Sequence, residues 1–149
     1  MTMRASLLAV MTVFLAACGS PALKVGVSST ADINKNEFDE PLAVVVRVYQ
    51  LRDPQRFEEA TFEELWREDY RVLGNDLVMK EEFTMDPAYQ RRIDMPRHDQ
   101  AKHVAAMAVF RAPEDTHWRD LKPMPGNFLT RRFSRRVGVT LEQNRLILD

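Results

Sequence analysis

The stretch Leu42 to Leu51 sets Val44, Val45, Val46 and Val48 almost in succession, with Arg47 the only charge among them. β-Branched side chains are stiff at χ1 and favour extended backbone, so this is the strongest strand in the chain. A strand apolar on both faces needs a layer of protein on each side. The chain must therefore supply two covers for one strand, which excludes a single open sheet and requires a layered fold.

The neighbouring segments offer those covers. Leu23, Val25 and Val27 alternate with Lys24, Gly26 and Ser28, the period of a half-buried strand. Thr30 to Pro41 is polar apart from Ile33 and Phe38 and reads as a long connecting loop. After the valine strand the period changes to that of a helix. Asp53-Pro54 is an N-cap followed by a first-turn proline, and Thr61 with Glu64 matches a capping box. Phe62, Leu65, Trp66, Tyr70 and Leu73 fall on one side of the second helix, and Gly74 stands where a C-terminal cap belongs. This helix is expected to pack on the valine strand with Trp66 buried, and Trp118 is expected in the core as well.

Short strands follow over Leu77 to Met85, Tyr89 to Met95, His103 to Phe110, Trp118 to Met124 and Arg131 to Leu141, with a last hairpin through Glu142-Gln143-Asn144 into Leu146 to Leu148. Asp86-Pro87, Pro96 with Asp99, Pro113 with Asp115, and Pro125-Gly126-Asn127 separate them as turns. The predicted fold is mainly β: a two-sheet antiparallel β-sandwich over 23–149, with a small helical insertion at about 53–74 after the second strand.

Ahead of this domain, Arg4 precedes an uncharged, mostly apolar run from Ala5 to Ala17 that ends in small residues. That is the layout of a signal peptide, and the run is too short for the ~20 apolar residues of a membrane span. Leu15-Ala16-Ala17-Cys18 resembles the lipobox of bacterial lipoproteins, in which the cysteine thiol takes a diacylglyceryl group through a thioether. The other reading is an ordinary signal peptide with a cysteine near its end. The lipobox implies a leader over 1–17, an acylated tether over 18–22, and anchoring by acyl chains as the only added groups. Gly19 implies the outer membrane, facing the periplasm, since the enteric sorting rule uses Asp at that position for retention. Cys18 is the only cysteine, so once acylated it leaves none for a disulfide. Loss of Arg4 from 21 Lys+Arg against 22 Asp+Glu leaves a net charge of about −2, with nothing in it that suggests nucleic acid.

The chemistry-bearing residues are scattered. His98, His103 and His117 lack metal-ligand spacing, and there is no nucleophile elbow, phosphate loop or paired carboxylates, so no enzyme, metal, cofactor or small-molecule substrate is expected. Arg131, Arg132, Arg135 and Arg136 form a basic cluster. It reads as the solvated face of a strand whose Phe133, Val137, Val139 and Leu141 point inward, with Arg135 the exception.

Several segments in combination resemble the TssJ (SciN) family, outer-membrane lipoproteins of the type VI secretion system. They are the Cys18 lipobox, Val44 to Leu51, Phe57 to Trp66, Leu73-Gly74, Asp76-Leu77, Glu82-Phe83 with Pro87, Val109-Phe110-Arg111 and Trp118-Arg119. The resemblance implies a transthyretin-like sandwich that binds the periplasmic C-terminal region of the inner-membrane protein TssM. It also implies a recognition role for the loop Thr30 to Pro41. In that family the loop often runs Asn-Pro-Asp into a glycine turn and Ser-Pro, whereas here only the polar character and Pro41 remain. Ile33, Asn34, Asn36, Glu37, Phe38 and Asp39 are the candidate contacts, with Phe38 either tucked onto the sandwich or serving as an anchor. A pilotin or chaperone-like lipoprotein of another envelope assembly is the alternative.

Overall fold

The computed structural model describes residues 21–125 and 134–149. The strands are β1 (Ala22–Ser29), β2 (Val44–Leu51), β3 (Leu77–Met85), β4 (Gln90–Pro96), β5 (His103–Val109), β6 (Arg119–Pro123), β7 (Arg135–Glu142) and β8 (Arg145–Leu148). Two helices, α1 (Gln55–Glu59) and α2 (Phe62–Leu73), lie between β2 and β3. One sheet runs β4-β1-β7-β8 and the other β3-β2-β5-β6. The sandwich expected from the strand spacing is the observed fold. Its pairings are antiparallel except for β1 with β7, which run parallel with Leu23 opposite Arg135 and Val27 opposite Val139.

Each face of β2 has its own cover. Val44, Val46 and Val48 are buried between the sheets with Leu23, Val25, Val27, Val137 and Val139. Gln50 on the same inner face is fully buried, and its amide donates to the Pro96 carbonyl at 2.7 Å and accepts the His98 N–H at 2.9 Å. With both ends of the amide satisfied, its burial carries little penalty. Arg47 and Tyr49 face the other way, toward the helices.

Two arginines fasten those helices to the sheet. Thr61 and Glu64 form the expected reciprocal capping box at the start of α2. The helix then kinks at Glu68 (φ −141°), so carbonyls that a regular helix would hand to amides four residues on need another donor. Arg47 Nη1 supplies it, donating to the Leu65 and Trp66 carbonyls at 2.8 and 2.9 Å. Arg119 does the same for α1, reaching the carbonyls of Phe57, Glu58 and Ala60 at 2.5 to 2.6 Å. Beneath α2, buried Asp69 accepts from Tyr49 Oη (3.1 Å) and Lys80 Nζ (2.9 Å) and lies 3.3 Å from Arg47. Burial, together with the Asp69 carboxylate, pushes the Tyr49 phenol far up, so it stays a neutral donor. Gly74 ends the helix at φ +52°, where a Cβ would come within 2.7 Å of Arg56 Nη1.

Trp118 is buried as expected, but Trp66 is not. Phe62 packs edge-on against Trp118 (centroids 5.2 Å apart), and Trp66 lies beyond it, 43% exposed under the Arg67 guanidinium. Tyr70 is 65% exposed. The buried stripe of α2 is Leu65, Asp69 and Leu73, four residues apart, because the Arg47 and Tyr49 polar groups below require a carboxylate at its centre. Residues 1–17, Cys18, Gly19, Arg131, Arg132 and Phe133 lie outside the described residues. Arg135 sits on the inner face opposite Leu23, which explains its departure from the alternation, while Arg136 is exposed.

Candidate functional site

The segment 30–43 leaves β1 at the end of the sandwich opposite the chain's entry into it. Its base is pinned from three sides. Ile33 is fully buried. Asn34, 3% exposed and at φ +49°, donates its amide to the Ala43 carbonyl (2.9 Å) and accepts the Arg111 N–H (2.8 Å), while its own N–H reaches the Gln143 carbonyl (2.9 Å). Asparagine tolerates this left-handed backbone better than most residues. Ile33 and Asn34 were expected to face a partner; they are instead interior residues that tie the loop to the β5–β6 and β7–β8 connections.

The tip is ordered by its own side chains. Asn36 Oδ1 accepts the amides of Phe38 (2.9 Å) and Glu40 (3.0 Å), and its Nδ2 donates to Glu40 Oε2 (2.8 Å). Lys35 pairs with Asp39 at 2.8 Å, and Glu37 with Arg111 at 3.2 Å. Within this turn Phe38 points outward, 75% exposed. Of the two readings for Phe38, tucked or presented, the structure has it presented. Glu37, Asp39 and Glu40 surround it, also exposed. Holding the ring out on a preformed turn lowers the ordering cost of any contact it makes.

Beside the loop base is a polar crevice of about 410 Å³ lined by Thr30, Asp32, Glu114, His117, Glu142 and Gln143 among others. The Thr30 hydroxyl, donating at 2.6 Å, holds the Asp32 carboxyl below the usual range. The crevice was not anticipated from the sequence, because its walls come from three connections far apart in the chain. The three histidines do not meet: His98 and His103 lie at the end where β1 begins and His117 at the other. Among the described residues no group of His, Cys, Asp and Glu gathers to hold a metal, and no helix is long and apolar enough to cross a membrane.

Relatives share this architecture. The T6SS lipoprotein TssJ1 from Pseudomonas aeruginosa superposes with a TM-score of 0.76 at 20% identity, over 88% of this chain and 96% of that one. Lip from Serratia marcescens, described as a membrane bound component of the type VI secretion system, gives 0.79 at 18% over 88% and 97%. A chain in a structure described as the TssM C-terminal domain (869–1107) from EAEC gives 0.71 at 26%, covering 85% of this chain and 99% of that one. No curated protein matches significantly by sequence. The family of the type VI secretion lipoproteins VasD, EvfM and TssJ matches over residues 21–144, nearly the whole sandwich. The chain belongs to this family of type VI secretion lipoproteins.

Proposed function

We propose that the protein is acylated at Cys18, is held in the outer membrane with its sandwich in the periplasm, and binds the periplasmic C-terminal region of TssM through the tip of the 30–43 loop. It acts as a mechanical adaptor and performs no chemistry. The observation that carries this reading is Phe38, held 75% exposed on a turn braced by the Asn36 side chain, by backbone bonds between Asn36, Asp39 and Glu40, and by the Glu37–Arg111 pair. A buried aromatic anchor with a polar rim is the usual core of a specific interface, and Glu37, Asp39 and Glu40 supply the rim.

The EAEC match lends support. The chain matched there is covered to 99% by 85% of this 149-residue chain, so it has this protein's size and is much shorter than the range 869–1107. A structure described by its TssM C-terminal domain thus holds a chain of this fold and size, which supports an association with TssM. Gly19, where the enteric rule would use Asp for retention, favours the outer membrane. Nothing in the fold favours the pilotin alternative.

The test is titration of the acylated protein with the periplasmic region of TssM. Phe38→Ala should fold and melt like wild type yet bind at least tenfold more weakly, about 1.4 kcal/mol. Full binding by that variant, and by one with 37–40 replaced by Gly/Ser, removes the loop from the interface. Cys18→Ser should abolish palmitate labelling and release the exported protein from the membrane fraction.

A further inference from the structure

The two ends of the sandwich differ in charge. At the end where β1 enters, the strand registers bring Ala22 beside Pro96, Leu51 beside His103, and His103 beside Pro123. The residues around these positions include Arg52, Arg97, Lys102, Lys122 and Arg135, against Asp53 and Asp99. Arg56 and Asp76 nearby neutralise each other at 3.2 Å. At the opposite end, in the connections 30–43 and 110–118, Asp32, Glu37, Asp39, Glu40, Glu114 and Asp115 outnumber Lys35 and Arg111. The whole chain has a formal charge of −1, so the basic end reflects segregation of charge and not a surplus.

The covalent chain places that basic end. Only Gly19 and Ser20 separate Cys18 from Pro21, and three residue steps span at most about 11 Å. On the acylation reading above, on which this inference rests, the end of the sandwich is held close to the headgroups, at about the Debye length of ~8 Å at physiological salt. There the potential of anionic lipids acts on Lys and Arg. Exposed Lys102 can turn toward phosphate, and Arg52, held by the Gln100 side-chain oxygen and the Asn75 carbonyl, keeps its charge at the exposed surface, while Arg135 and Lys122, half-buried opposite Leu23 and Val104, line the mouth between the sheets.

We infer that this basic end rests on anionic phospholipid headgroups of the membrane that holds the acyl chains, so that the sandwich stands on the bilayer with the 30–43 loop directed away from it. β1 alone, eight residues at about 3.4 Å each, sets the loop roughly 27 Å from the headgroups. The acidic end would be repelled by the same lipids, so charge also opposes the inverted orientation.

The experiment uses the acylated full chain on vesicles of phosphatidylcholine alone and with about a third phosphatidylglycerol. Lysines are acetylated briefly and quantified one by one. On the anionic vesicles Lys102 should be protected roughly fivefold relative to Lys35, with the protection lost on phosphatidylcholine and in about 0.5 M salt. Arg52→Glu with Lys122→Glu should reduce it while leaving flotation intact. Equal reactivity of Lys102 and Lys35 on anionic vesicles, in protein that floats, overturns the orientation and leaves the anchor standing. Wild type that fails to float with phosphatidylcholine vesicles overturns the anchor, and the orientation with it.

Discussion

Arg47→Met isolates the cost of removing one guanidinium from under α2. The methionine keeps most of the arginine stem's volume, so packing against the helix is nearly conserved and the polar losses dominate. The side chain is 13% exposed. Its loss leaves the Leu65 and Trp66 carbonyls at the kink without their donor, at roughly 1 kcal/mol each. It also removes one of two cations from Asp69, whose side chain is 7% exposed. Breaking a buried ion pair from one side costs about 3 to 5 kcal/mol, but Lys80 and Tyr49 still hold this carboxylate, so about half of that applies. The total is about 3.5 to 4.5 kcal/mol. For a domain of this size that lowers Tm by about 10 to 15 °C. Urea unfolding followed by tryptophan fluorescence measures it. Adding Asp69→Asn should not recover the loss, since it strands Lys80, 14% exposed and paired with the same carboxylate at 2.9 Å. A single-variant loss under about 1 kcal/mol would refute the view that this arginine caps the kinked helix.

Asn34→Ala should cost about 2 kcal/mol in the same assay, because it strands the Arg111 N–H and the Ala43 carbonyl and places a Cβ residue without a compensating side chain at φ +49°. Trp66→Ala should cost less than half of Trp118→Ala, for which about 3 to 5 kcal/mol is expected, since only Trp118 is fully enclosed. The Thr61 backbone N–H, with its hydroxyl, holds the Glu64 carboxyl below its ordinary value. A group whose folded pKa is depressed contributes stability above its unfolded value, near pH 4.3, and that contribution vanishes as pH falls through the folded value. The Tm difference between wild type and Glu64→Gln should therefore be full at pH 7 and shrink steadily below about pH 4.

Local signals in the sequence marked where elements begin and end. The Thr61 and Glu64 spacing became the observed cap, and the strand limits follow the proline and aspartate turns to within a few residues. What could not be read depended on remote partners. The helical period puts Trp66 and Tyr70 on the apolar side of α2, yet Asp69 lies midway between Leu65 and Leu73 in sequence, and Arg47 breaks the valine run; together they are the available sign of a buried pair beneath the helix. Arg119 gave no local sign that it would cap α1, which precedes it by some sixty residues. The loop's length and polarity were legible, as was the choice at Phe38. The burial of Ile33 and Asn34 was not, because the atoms that satisfy Asn34 come from Ala43 and Arg111, the latter 77 residues away. A replacement of the whole stretch 33–39 would thus unseat the loop base, which is why the excision is confined to 37–40.

The parallel pairing of β1 with β7 has a kinetic consequence. Leu23 meets Arg135 only after 112 residues, so the sheet nearest the entry point cannot close until almost the entire chain has emerged. Loop closure over that span is slow compared with formation of the β2-β3 and α1-α2 contacts, and non-local pairing of this kind lowers folding rates. For a chain threaded N-terminus first through a membrane, as a leader over 1–17 would require, such a delay leaves the first strand with β4 as its only neighbour, and its β7 edge open, during transit. Cys18, four residues ahead of Ala22, would then remain accessible to processing enzymes before the sandwich shuts beside it. Permuting the chain so that β7 precedes β1 should give a protein that refolds faster and is exported less efficiently.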